Sequence, residues 1–174
     1  MKLETMSKAL ARRYYRDFEL DPIMFVDPDK FHPYVYSDEK SDATVERHHQ
    51  LGRVFLAVML GEEPIGEVIL KNIDREKQCC TLGIHMQNDS VKNKGYGTNA
   101  EILTLRYAFE ELNLNTVYAD ALHQNKRSQH VLEKAGFRYT HQDETFMYYR
   151  CDKRSWTAPE MTVKHGGTSQ CGEF

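Results

Sequence analysis

The residues of this chain best suited to hold an anion lie in one stretch, VKNKGYGTNA at 91–100. Lys92 and Lys94 bring positive charge. Gly95 and Gly97 let a backbone approach a phosphate closely and take a positive φ. The residues after them read as a helix, and a helix start offers backbone N–H groups without partners and a dipole that favours an anion. The chemistry such a loop serves is the holding of a phosphate compound. Gly95-Tyr96-Gly97-Thr98-Asn99-Ala100 satisfies the dinucleotide pattern G-x-G-x-x-A, and Asp120 follows about 20 residues on. Two facts count against a dinucleotide fold. The polar run QNDSVKNK separates Met86 from Gly95, and the motif starts past the middle of the chain. The P-loop pattern G-x-x-x-x-G-K-[ST] is absent. A pyrophosphate cradle and a plain glycine-softened turn remain.

The elements that would position this loop follow from periodicity. Residues from about 4 to 20 read as a helix, ended by Asp21-Pro22; 21–40 read as an irregular packed loop; Ser41-Asp42 caps a short helix through Gln50. Strands are expected at 53–60, 65–71 and 78–86, the first two forming a hairpin across the GEEP turn. Ile102, Leu105, Phe109 and Leu112 recur at helical spacing within 98–112. An apolar strand is expected at 116–122, and Asn125 caps a helix that Gly136 closes. Residues 137–141 and 146–151 read as a last hairpin. The strand–helix–strand unit over 78–122 is a crossover, which makes its two strands parallel. The pattern predicts one mixed α/β or α+β domain around one sheet.

Composition fits that scale. The chain has 174 residues, 40% hydrophobic and 28% charged, with a formal net charge of −3. That excludes a strongly basic nucleic-acid binder. The longest apolar run, VFLAVML at 54–60, is too short for a membrane span, which needs about 20 residues. The start, MKLETMSKALARRYY, lacks the apolar stretch of a secretory signal. Cys79, Cys80, Cys151 and Cys171 form no CxxC pair and read as reduced thiols of a cytoplasmic protein. The histidines show no H-x₃-H or HExxH spacing, so no metal site is expected.

The loop Lys92-Asn93-Lys94-Gly95-Tyr96-Gly97, followed by Asn125, Ser128, Glu133-Lys134-Ala135 and Gly136-Phe137, resembles the GCN5-related N-acetyltransferase (GNAT) superfamily. The wording is closest to the subgroup of ribosomal-protein N-terminal acetyltransferases and their small-molecule relatives. The resemblance covers roughly 52–151. It implies a single domain over 1–152 with a helical acceptor side at 1–50, an acetyl-CoA-binding core at 52–151 and a loose tail at 153–174. It also implies a mixed, mostly antiparallel sheet with a central splayed parallel strand pair and helices on both faces. Acetyl-CoA, as cosubstrate, would lay its arm along the backbone at Ile84, His85 and Met86. Its pyrophosphate would sit on the loop from Lys92 to Thr98, and Asn125 and Ser128 would face the cysteamine or pantetheine end. No nucleic acid, membrane or metal is implied; many members of the family dimerise, which leaves a homodimer open.

The chemistry implied is direct transfer of acetyl to an amine, a peptide α-amino group or a small molecule. Such an amine is mostly protonated at neutral pH, so a base is needed, and the leaving thiolate needs a proton. His85 lies beside the expected thioester and is of a type that titrates near neutral pH. Glu67 stands mid-strand in IGEVIL, where a charge needs a reason. Asp120 ends the second splayed strand and could bind the acceptor amine. Many relatives place an acidic tyrosine where this chain has Glu133, a poor acid for a thiolate. Ser128, through a water, or solvent itself is the substitute. The altered position, with Lys92 where Arg or Gln is common, also admits a CoA-binding sensor without activity. The aromatics of 14–36 would shape the acceptor side or fill a core.

Overall fold

A computed structural model describes residues 1–162 of the chain. In chain order these form β1 (Lys2–Thr5), α1 (Lys8–Arg16), α2 (Asp38–Gln50), β2 (Val54–Leu60), β3 (Glu63–Asp74), β4 (Cys79–Met86), α3 (Tyr96–Arg106), β5 (Thr116–Leu122), α4 (Lys126–Ala135), β6 (Arg138–Gln142) and β7 (Phe146–Asp152). The strands make one sheet in the order β1-β2-β3-β4-β5-β7-β6, and only β4 and β5 run parallel. The single α/β domain with a splayed parallel pair is the fold expected from the sequence.

Alternation along the strands sorts the core into two layers. Phe55, Ala57 and Met59 of β2 point to one face, where Ala11, Tyr14 and Tyr15 of α1 and Val45 of α2 cover them. Leu56 and Val58 of β2, Val68 and Leu70 of β3, Cys80 and Leu82 of β4, and Val117, Ala119 and Ala121 of β5 point to the other. There they meet Ala100, Ile102 and Leu105 of α3 and Leu132 and Ala135 of α4. The aromatics of 14–36 largely fill the first layer: Tyr15 stacks on Tyr34 at 5.4 Å, and Tyr14 and Phe18 join them. His48 belongs there too, 4.3 Å from the Phe55 ring, and burial pushes its pKa down.

Four local expectations need correction. Residues 2–5 are strand, not the start of a helix; they pair as an edge strand with Leu56–Met59, and Ser7 caps α1 through its Oγ. α1 ends at Arg16 rather than near 20. α2 starts earlier than expected because Ser37, not Ser41, takes the capping role, accepting from the Lys40 N–H. The last turn of the 98–112 helix widens to a π-helical turn over Tyr107–Glu111. Past β7 the chain stays docked: Trp156 packs on Phe109 and its Nε1–H donates to the Ala135 carbonyl at 2.9 Å. The rest of the expected tail, 163–174, lies outside the described residues.

Candidate active site

The parallel ladder between β4 and β5 ends early. It joins Cys79–Leu82 to Thr116–Ala119 and no further. Beyond it Gly83–Met86 and Asp120–Leu122 diverge, and a cleft of about 600 Å³ lies between them. Its walls come from both layers, with His85 and Asp120 on the α1 side and Glu101 and Leu132 on the α3 side. The cleft therefore passes through the sheet.

On the β3 side β4 is fully paired, Val68 opposite Ile84 and Glu67 opposite His85. The Gln87 N–H donates to the Ile65 carbonyl at 2.9 Å, in the same register. Antiparallel pairing alternates, so His85 also spends its backbone groups on β3, while those of Ile84 and Met86 turn toward the cleft. The His85 carbonyl further accepts from the Tyr14 hydroxyl at 3.2 Å. Gly66 makes room for this edge: a Cβ there would meet Met86 Sδ at 3.0 Å and the His85 carbonyl at 3.1 Å.

Glu67 and His85, separate candidates in the sequence, are one unit. His85 Nδ1 lies 2.8 Å from Glu67 Oε1, and the Tyr15 hydroxyl donates to Oε2. Glu67 is 4% exposed. The Tyr15 hydroxyl is a donor to one oxygen, and a carboxylate accepts at the other from the His85 tautomer that has its hydrogen on Nδ1. His85 Nδ1 then carries the proton, and Nε2 is left as an acceptor on a ring that is about a third exposed and lines the cleft. Burial first, then the Glu67 charge, push the Tyr15 hydroxyl far above its ordinary pKa, so it stays a donor.

The loop carries the helix start expected of it. Gly95 is the N-cap of α3 with φ 86°, a left-handed conformation natural to glycine. Lys92, Asn93, Gly95, Gly97 and Thr98 line the cleft; Lys94 is exposed and Tyr96 packs on the core. Lys92 is already engaged, at 2.9 Å from Asp21 and 2.7 Å from Asp89. Arg127 of α4 reaches the same Asp21 oxygen at 2.6 Å. Burial alone would raise the Asp21 pKa, but Lys92, the Ile23 N–H and Arg127 outweigh it and hold it below the usual carboxylate range. The strap after α1 is thereby tied across one end of the cleft, as it is by the Glu19 N–H on the Gln87 carbonyl at 2.8 Å.

Asn125 and Ser128 line the cleft, with the Asn125 side chain capping α4 through the Ser128 N–H at 3.0 Å. Glu133 is not brought there: it is exposed and faces the groove by Gly136 and Trp156. Asp120 is in the cleft wall, with Arg53 and Lys71 nearby on the α1 side. Sequence reasoning missed Tyr15, Asp21, Arg127 and Glu101. The Cys80 and Cys151 thiols are pushed up to about 12 by burial, which makes neither a nucleophile. Among the described residues no three His, Cys, Asp or Glu side chains gather as metal ligands, and no helix is long and apolar enough to cross a membrane.

Comparison with known proteins gives the same outline. A family model described as an acetyltransferase (GNAT) domain matches residues 6–138. A search of curated protein sequences finds no match. Among solved structures, the Campylobacter jejuni N-acetyltransferase PseH in complex with acetyl coenzyme A is 22% identical, with TM-score 0.59 over 66% of this chain and 79% of that one. A mutant of the Vibrio cholerae spermidine N-acetyltransferase SpeG is 18% identical, with TM-score 0.66 over 87% and 95%. A Bacillus anthracis acetyltransferase of the GNAT family is also 18% identical, with TM-score 0.66 over 87% and 94%. At these identities the likeness speaks for the fold.

Proposed function

This chain belongs to the GNAT acetyltransferase family, and from that premise we propose that it moves the acetyl group of acetyl-CoA directly to an amine. The observation that carries the reading is the early end of the β4–β5 ladder beside the His85–Glu67–Tyr15 unit. The residues fit the cosubstrate. Its diphosphate would meet the free N–H groups of the loop and first turn of α3. Gly97 would let it approach, since nothing lies nearer a Cβ there than Val131 Cγ1 at 3.7 Å. Its amide-bearing arm would pair with Ile84 and Met86 as an added strand does, with Asn125 and Ser128 near its thiol end.

The acceptor enters from the α1 side. His85 Nε2 takes the amine proton, and the amine nitrogen bonds to the thioester carbonyl carbon. The Met86 N–H stabilises the oxygen charge that develops. The C–S bond then breaks, its electron pair leaves with sulfur, the nitrogen sheds its second proton to become the amide, and that proton reaches the thiolate through a water held by Ser128 or through solvent. Glu133 has no part.

For the acceptor we infer an α-amino group of a peptide or an amino-acid-like small molecule. The α1-side wall carries two bases, Arg53 and Lys71, beside the acids Glu19, Asp21 and Asp120, of which Asp21 is already paired with Lys92 and Arg127. The two bases suit an amine with a carbonyl or anionic neighbour. The motif wording supports a place with the ribosomal-protein N-terminal acetyltransferases and their relatives. The free thiols Cys79, Cys80 and Cys151 suit the cytoplasm. CoA-thiol release across a panel of peptides, amino-acid amides and polyamines tests this. Release with peptide or amino-acid amines and little with spermidine is expected. CoA binding with no turnover on any amine would instead mark a sensor.

A further inference from the structure

Glu101 lies in α3, one residue past Ala100, on the flank that faces the sheet. It is 1% exposed, and among the described residues neither Oε1 nor Oε2 has a hydrogen-bond partner. Native proteins rarely leave a buried carboxyl so, because removing it from water without compensation costs free energy. Glu67, the other buried glutamate of the site, has donors on both oxygens. Glu101 is too far along α3 to reach the free N–H groups of the helix start. It lines the cleft together with the apolar side chains of Leu82, Ala119 and Leu132. Its one polar outlet is the cleft it lines.

We propose that Glu101 is a binding residue for the arm of the acyl carrier, its carboxyl O–H donating to an amide carbonyl of the pantetheine chain. The inference rests on the acetyl-CoA reading and adds a partner that the loop and the β4 edge do not supply. β4 serves the arm through backbone groups from within the sheet; Glu101 meets it from the α3 side. Burial drives the Glu101 pKa well above the ordinary carboxylic value, so the group carries its proton and can donate. A neutral carboxylic acid also costs far less to bury than a carboxylate, which is why the free protein tolerates it.

Calorimetric titration of CoA and of adenosine 3′-phosphate 5′-diphosphate (the ADP control), which shares the nucleotide and diphosphate but has no arm, tests this on the wild type, Glu101→Gln and Glu101→Leu, with the thermal midpoint of each free protein. Glu101→Leu should weaken CoA by about tenfold, the loss of one hydrogen bond, and leave the ADP control unchanged. Its free midpoint should hold or rise, since a buried unpartnered group is gone. Glu101→Gln keeps a donor and should stay within about threefold of the wild type. CoA affinity unchanged in Glu101→Leu would overturn the inference while leaving the acetyltransferase reading intact. So would loss of CoA and the ADP control alike with a lower midpoint, the mark of a structural role. Failure of CoA to bind the wild type would remove both readings.

Discussion

His85 has its Nδ1 against Glu67 on a ring that lines the cleft, a partner that a lone strand histidine lacks. A base matters most where the acceptor amine is protonated and least where solution has already deprotonated it. His85→Ala should therefore lower kcat/KM more at about pH 6 to 7 than at about pH 9, with CoA affinity unchanged; an equal loss across the range would remove His85 as base. Glu101 makes a prediction of the opposite kind, on stability. Its folded pKa is raised above the ordinary 4.5, so the folded state holds a proton that the unfolded chain releases. Relative to Glu101→Gln, the wild type loses no stability below that ordinary value. It then loses about 1.4 kcal/mol for each pH unit above it until the folded group ionises. Urea unfolding of both proteins at pH 5 and pH 7 reads the difference, and a gap that does not widen contradicts it. Glu67 stood out as a candidate because a charge in mid-strand asks for a reason, and His85 because the family resemblance puts it beside the expected thioester; that the two touch was not legible. Nor were Tyr15 and Arg127: their partners lie 52 and 106 residues away in sequence, and no local spacing encodes such a contact.

Among the elements, the loop and α3 form the unit that would receive the diphosphate. Gly97→Val would hold its fold, because a Cβ there makes only ordinary contact with Val131 and the backbone is not left-handed. The extra bulk would stand where the phosphate must come close. CoA affinity should fall by tenfold or more, on the order of 1.4 kcal/mol, while far-ultraviolet dichroism stays unchanged; unaltered affinity would detach the loop from the ligand. The elements that were legible are those with strong punctuation. β5 carries a mostly apolar run, and α4 has its Asn125 cap and left-handed Gly136 at the expected places. β1 was hidden because KLET has no strand pattern of its own; pairing with β2 makes it one. The start of α2 was misplaced because Ser37 and Ser41 both suit a cap, and Ser41 instead gives its hydroxyl to the Ser37 carbonyl.

At the scale of the molecule, the sheet is continuous except along one half of one strand pair, and that interruption gives two faces access to the same place. The α3 layer and loop would deliver the carrier; the α1 layer would supply the base unit and the acceptor wall. The parallel crossover was legible in the order of elements, whereas the place at which β4 and β5 part came only from the family resemblance, which put it at Ile84–Met86; nothing local in CCTLGIHM or TVYADAL marks it. The central claim is that the carrier's arm completes the open half of β4. Residue-resolved amide hydrogen exchange with and without CoA measures it directly. Ile84 and Met86 should slow markedly on CoA addition while His85, already committed to β3, stays unchanged. Exchange at Ile84 and Met86 that is the same in the presence of saturating CoA would contradict the account.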